Sequence, residues 1–269
     1  MKTALDDMLS VPATACTLDG FREWVLSDEF PEDVRASFID RELLVESYLF
    51  DDDMLSIPVS AGTLAGFVEW VTSDAFPKGI RASLIEKELL FDMSPEEINI
   101  HNRLKTEITF RIRQLIESGM EGEVYSDRAL LVNPAADLST EPDALFSLWK
   151  TLESARLRLQ PRANRPGEST ELRGTPDWVL EIVSRTSQRK DKKILRAAYH
   201  KAGIPEYWLI DAVRDPVVFH LLRHEPHGYE PVAEVDGWTR SPLFKHDFKL
   251  QRKRDPLGNW RYTLASRPV

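Results

Sequence analysis

Two acidic residues of this chain sit where burial makes acidity costly. Glu181 interrupts the β-rich run Trp178-Val179-Leu180-Glu181-Ile182-Val183, itself preceded by Pro176-Asp177. Side chains alternate along a strand, so Asp177, Val179, Glu181 and Val183 share one face and Trp178, Leu180 and Ile182 the other. A carboxylate in that company is expensive to bury without a positive partner. Asp143 follows Pro142 in Glu141-Pro142-Asp143-Ala144-Leu145-Phe146, a short strand opened by a proline. If the two strands are neighbours, both carboxylates converge at one end of a sheet. Two carboxylates, water and a phosphate oxygen suit Mg²⁺, which keeps several of its waters. Such an ion activates water and neutralises charge building on a phosphodiester, and a nearby lysine would add to that stabilisation.

The elements around these residues follow from periodicity. After Glu181 comes a polar, basic stretch, Ser184 to Lys193, and then a helix with Ile194, Leu195, Ala198, Tyr199 and Ala202 at helical spacing. Gly203 is placed for its C-cap, with Pro205 just beyond, before the apolar run Tyr207 to Ile210 and Asp211. Strand, basic helix, strand predicts a βαβ unit with a parallel pair. Upstream, Ser94-Pro95-Glu96-Glu97 has the pattern of a capping box with proline at the first helical position. Ile98, His101, Leu104, Ile108, Ile112, Leu115 and Ile116 then mark a helix that stops before Gly119 and Gly122. Val124 to Val132 reads as one strand, and residues 151–174, with Arg156, Arg158, Arg162, Arg165 and Arg173, as an exposed insertion. From Val217 the pattern is β-hairpins, the last turning at Asp255-Pro256-Leu257-Gly258-Asn259.

The N-terminal part is duplicated. Asp6–Leu44 recurs as Asp52–Leu90 with 25 of 39 positions identical, which makes it a tandem copy. Each copy reads as a short helix capped by Thr17 or Thr63, a Phe-Pro turn and a strand through Ile39 or Ile85. Only the second runs straight into the core; the first could dock beside it, swap with it or stay mobile, and residues 1–46 are expected to be a loosely attached acidic duplicate, with residues 47–269 the main domain. The net charge of −9 is uneven: residues 1–53 hold 14 acidic and 4 basic side chains, leaving 30 acidic and 31 basic elsewhere. The body is thus near neutral, and the overall sign does not argue against a nucleic-acid partner. A single cysteine, Cys16, excludes an intramolecular disulfide framework and fits a reducing cytoplasm. No apolar run is long enough to span a bilayer, and the acidic start is unlike a signal peptide. Gly-rich phosphate loops, nucleophile elbows and HExxH motifs are absent.

Taken in order, Glu141-Pro142-Asp143, Pro176 to Ser184, Asp191 with Tyr199, and Ala202-Gly203-Ile204-Pro205-Glu206-Tyr207-Trp208-Leu209-Ile210-Asp211 resemble the Uma2 family of endonucleases, over roughly Thr63 to Leu250. The resemblance implies the PD-(D/E)XK superfamily: an α/β, restriction endonuclease-like core with a mixed central sheet flanked by helices, here with the duplicated N-terminal segment and C-terminal β-hairpins added. It also implies a bacterial, Mg²⁺-dependent (or Mn²⁺-dependent) endonuclease hydrolysing DNA, with Asp143 and Glu181 as the catalytic, metal-holding carboxylates. The superfamily lysine two residues after the glutamate is replaced by Val183, and the lysine many members place four residues after the helix aspartate is replaced by Leu195. Lys190, beside Asp191, is then the preferred assisting lysine, ahead of Lys193.

Each residue has a plainer role open to it. Asp143 could simply open a strand, Glu181 could be a satisfied buried pair, and Asp177 is expected to open its strand rather than share the site. Asp191 fits a charge complementing a helix dipole. Arg185, Arg189, Lys192 and Arg196 could contact phosphates or form an ordinary solvated face. His220, His224 and His227 lack a nearby cysteine and make a poor zinc site. RNA stays open as substrate, a homodimer is expected by analogy alone, and the lost lysines leave a second reading: an inactive nuclease fold serving as a nucleic-acid-binding or protein-interaction module.

Overall fold

The strand that carries Glu181 lies at the centre of a six-stranded mixed sheet. A computed structural model of the chain describes residues 8–31, 34–47, 54–92, 94, 96–162, 165–185, 187–213 and 215–269. It forms two compact units, Met1–Ser94 with Val132–Glu141, and Pro95–Leu131 with Pro142–Val269. Both repeat copies fall in the first, so the division expected at residue 46 runs through it.

In the second unit the strand order is Gly228–Pro231, Val218–Glu225, Glu206–Asp211, Trp178–Val183, Ala144–Leu148, Gly122–Ser126. Trp178–Val183 and Glu206–Asp211 are parallel, with Trp178 opposite Glu206 and Val183 opposite Asp211; the other neighbours are antiparallel. A parallel pair needs a crossover, and residues 187–202 supply it, through a π-helical turn Lys190–Ile194 and the helix Leu195–Lys201. Gly203, at φ 70°, ends that helix in the left-handed conformation glycine tolerates best. On the sheet's other face Trp178, Leu180 and Ile182 join Ala144, Phe146, Trp208 and Ile210 in one core with Leu104, Ile108, Ile112 and Leu115 of the helix Arg103–Glu117.

Three local expectations change. The helical stretch that begins at Ile98 is capped by Glu97, whose carboxylate accepts from the amides of Asn99, Ile100 and His101, and not by Ser94, whose hydroxyl turns back to Asp92. Glutamate wins because its longer side chain folds over the free amides of the first turn; Pro95 lies outside the described residues. Val124 to Val132 is two strands, Gly122–Ser126 and Leu130–Asn133, parted where Asp127 and Arg128 take positive φ. The 151–174 stretch is a short helix, Trp149–Glu153, and a hairpin, Leu157–Arg162 with Arg165–Gly174.

The duplicated segments exchange strands. Met8–Pro12 of the first copy pairs with Glu88–Asp92 of the second, Met8 opposite Asp92. Leu55–Pro58 of the second pairs with Glu42–Ser47 of the first, Val45 opposite Leu55. Each copy's hairpin is therefore completed by the other's leading strand. Cys16 and Gly62, equivalent in the repeat, come together: a Cβ on Gly62 would lie 2.9 Å from the Cys16 Cβ. The expectation of a loosely attached duplicate is corrected, because alternating Leu9/Val11 and Leu55/Ile57 need a sheet face to bury them, and all four are at most 2% exposed. The short helices are as expected, with Thr17 and Thr63 hydroxyls accepting from Gly20 and Gly66 amides. Among the described residues no helix is long and apolar enough to cross a membrane.

Two measurements follow. Val11→Asp would place an unpaired carboxylate against Leu89, and should cost about 3 kcal/mol in chemical denaturation; a near-neutral result would mean the exchanged strand is dispensable. Glu206 is buried at the start of its strand, accepting from Trp208 Nε1 and Ser241 Oγ, each at 2.7 Å. Burial outweighs these donors and lifts its pKa from 4.5 to about 7. Between those values the folded chain holds a proton the unfolded chain releases, so stability falls as pH rises through this window. Glu206→Gln keeps an acceptor and should remove the Glu206 share of that fall, gaining on the order of 3 kcal/mol over wild type by about pH 8 with no gain near pH 4. Parallel pH–stability curves for the two proteins would refute it.

Candidate active site

The antiparallel ladder between Ala144–Leu148 and Trp178–Val183 ends with Ala144 opposite Leu180. Just past that point the Asp143 amide donates to Leu180 O (3.1 Å), and Asp143 Oδ2 accepts from the Ile182 amide at 2.7 Å. The Asp143 carboxylate is thereby fixed on the strand beside Glu181.

Glu181 is 4% exposed and accepts from the Tyr199 hydroxyl at 2.5 Å. Tyr199 comes from the crossover helix, packed edge-on against Tyr207 of the parallel strand. The same crossover buries Asp191, whose Oδ2 accepts from the Ser187 hydroxyl while its carbonyl accepts from Tyr207 (2.9 Å). Asp191 Oδ1 has no hydrogen-bond partner, and Lys190 Nζ stands 4.0 Å from it.

The three carboxylates titrate differently for physical reasons. Burial, then the charges of Asp191 and Asp143, push Glu181 well above the usual carboxylate range, against the pull of Lys190 and the Tyr199 bond. Burial raises Asp191 to about 6, with Lys190 and Ser187 working the other way. Burial would raise Asp143 too, but the hydrogen bond and charge of His101 and the Ile182 amide outweigh it, and its pKa is lowered.

His101 is the hub on that side. Its Nε2 lies 3.1 Å from Asp143 Oδ1 and its Nδ1 3.1 Å from Glu96 Oε1. Lys105 Nζ, one helical turn on, reaches Glu96 at 2.6 Å and Asp127 at 3.0 Å. Burial works against a charged imidazole, yet Asp143 and Glu96 raise the His101 pKa overall. Burial would raise Glu96 as well, but hydrogen bonds from Lys105 and His101 bring it down to about 2.

A family profile, Uma2, described as "Putative restriction endonuclease", matches residues 66–252. The chain belongs to the Uma2 family. Among solved structures, "a putative nuclease belonging to DUF820 from Anabaena variabilis" is similar at 22% identity, covering 68% of this chain and 90% of that one, with a TM-score of 0.49. No curated protein matches the chain.

Within this Uma2 chain the residues singled out by sequence disperse. Asp143, Glu181 and Lys190 come together; Lys193 is exposed. Val183 and Leu195, at the positions of the missing lysines, are buried apolar residues. Asp177 accepts from the Ser147 hydroxyl and the Leu148 amide at the far end of its strand from Glu181, a strand-opening role. Lys192 binds Asp211 at 2.6 Å and Arg196 the Tyr229 carbonyl, while Arg185 and Arg189 are exposed. Of the insertion arginines, Arg156 reaches Gly203 O and Arg173 reaches Glu171; the side chains of Arg162 and Arg165 lie outside the described residues. His224 Nε2 donates to the His200 carbonyl oxygen at 3.0 Å, and the two imidazole rings stack with centroids 4.0 Å apart.

Sequence reasoning undervalued Asp191 and missed Glu96 and Lys105. The usable signal was spacing: His101 and Lys105 are four residues apart on one helix face, and Glu96 stands just before the Glu97 cap that opens that helix.

Among the described residues, no three His, Cys, Asp or Glu side chains form a ready-made metal cage. Two carboxylates with few protein ligands are nonetheless the donor set of a hard cation that keeps its waters, and the unpartnered Asp191 Oδ1 adds an oxygen nearby. The residues fit such an ion. Tyr199→Phe keeps the buried ring and removes the Glu181 donor, so it should cost about 1–3 kcal/mol without changing secondary structure. Unchanged stability in urea titration would show that the hydroxyl does not support Glu181.

Proposed function

We propose that this protein is a metal-dependent endonuclease that hydrolyses phosphodiester bonds of DNA. The observation that carries this reading is the pairing of Asp143 and Glu181 on adjacent strands, with the Asp143 carboxylate seated on the Ile182 amide. Asp143 and Glu181 would hold Mg²⁺, or Mn²⁺ in its place; when bound, the ion supplies Lewis-acid stabilisation of charge on a phosphodiester. His101 and the Ile182 amide keep Asp143 ionised and aimed, and the Tyr199 hydroxyl orients Glu181. Lys190, within electrostatic reach of Glu181 and Asp191, would stabilise charge developing on the scissile phosphate, in place of the lysine lost at Val183.

The test is conversion of supercoiled plasmid to nicked and linear forms with Mg²⁺. Glu181→Ala and Asp143→Asn should each lower the rate at least ~100-fold, and Lys190→Ala about 10–100-fold. Lys193→Ala should leave the rate within about twofold, since Lys193 is exposed. No cleavage of DNA or RNA, with no Mg²⁺ binding by calorimetry, would defeat the proposal.

The buried apolar residues Val183 and Leu195 at both usual lysine positions favour one alternative, a non-catalytic nucleic-acid-binding module. Nucleic-acid binding with no cleavage in either metal would select it.

A further inference from the structure

The C-terminal hairpin gathers cations beside the site. His246–Arg254 and Trp260–Pro268 pair antiparallel, with Lys253 opposite Arg261 and Arg254 opposite Trp260. Like charges directly across a ladder destabilise it, yet this hairpin end keeps them. Lys249 to Arg261 carries five cations and one carboxylate, Asp255. That carboxylate is committed to Arg103 at 3.1 Å, and Asp215 to Arg252 at 2.6 Å. Lys253, Arg254 and Arg261 are all exposed.

Two features order this end of the hairpin. The Arg252 and Arg254 guanidiniums lie 4.0 and 3.6 Å from the Trp260 ring centroid, held by the π face. The turn is clamped to the site helix: Arg103 Nη1 donates to Asp255 Oδ2 and to Trp260 O (2.9 Å), and the Leu264 amide donates to Glu107 Oε1 (2.9 Å). Arg103 is two residues beyond His101, which holds Asp143.

We propose that Lys253 and Arg261, cross-strand neighbours on the hairpin face opposite Trp260, form a phosphate-contacting surface for the backbone of a double-stranded nucleic acid presented to the Asp143–Glu181 site. The inference rests on the nuclease reading of that site. Phosphate contact fits better than base recognition, because the indole, the natural stacking platform for a single strand, already carries two guanidiniums. A cation surface of this kind binds independently of sequence and with strong salt dependence.

The full chain and its Lys253→Ala/Arg261→Ala variant would be compared by fluorescence anisotropy without divalent cation. The probes are labelled duplex DNA, duplex RNA and single-stranded DNA of equal length, across about 50–200 mM salt. Duplex affinity should fall about tenfold at the lower salt irrespective of sequence, and the slope of log K against log salt should flatten by about 0.9 per lost contact. The charge-keeping exchange Lys253→Arg/Arg261→Lys should retain both, with melting curves superposable on wild type. Whichever duplex shows the larger change identifies the backbone preferred. Wild-type duplex binding with an unchanged slope in the alanine variant would overturn the hairpin assignment and leave the nuclease reading standing. A larger loss on single-stranded DNA than on either duplex would also overturn it. Absence of any wild-type nucleic-acid binding would remove both.

Discussion

The hydrogen bond from the Ile182 amide to the Asp143 carboxylate is the constraint around which the site is built. The strand Ala144–Leu148 stops pairing at Leu180, so the next outward-facing amide of the central strand needs an acceptor. Asp143 provides it with a side chain. That choice buries a charge, and buried charge demands compensation. His101 answers it at 3.1 Å, which requires the helix Arg103–Glu117 to begin where its first turn reaches the sheet's end. Glu96 and Lys105 then balance His101, and Glu97 closes the turn's free amides.

Glu181 has no equivalent support. Its donor is a neutral hydroxyl, its nearest cation is shared with Asp191, and its pKa moves up while that of Asp143 moves down. Adjacent carboxylates driven in opposite directions are a recurrent mark of acid–base and metal chemistry. The asymmetry follows from which element covers each group: a helix start rich in charge for Asp143, an aromatic crossover for Glu181.

The N-terminal duplication obeys a different constraint. A leading strand with Leu9 and Val11, or Leu55 and Ile57, has one apolar face and cannot stand alone. Two copies in one chain can satisfy each other, and the observed pairing does so reciprocally. The Cys16–Gly62 approach shows how close the equivalent turns come, and why glycine occupies the second position.

Local chemistry alone was enough to specify much of this protein. The alternation around Glu181, the basic helix with Gly203 behind it, and the apolar run to Asp211 determined the βαβ unit, and Thr17 and Thr63 determined their caps, because these depend on neighbours within a turn or two. The ordered motifs likewise marked Asp143 and Glu181 as candidates. Other features depended on partners distant in sequence. Whether Glu97 or Ser94 caps a helix depends on which side chain the fold leaves free, and whether a repeated strand pairs within its copy or across it depends on which sheet edge is open. Asp191 reads in the sequence as a charge complementing a helix dipole, whereas the crossover packs it beneath Tyr207, and Lys190 differs from Lys193 in which side of that crossover faces the carboxylates. Burial and long-range pairing are properties of the assembled sheet, so only the tertiary structure could decide them.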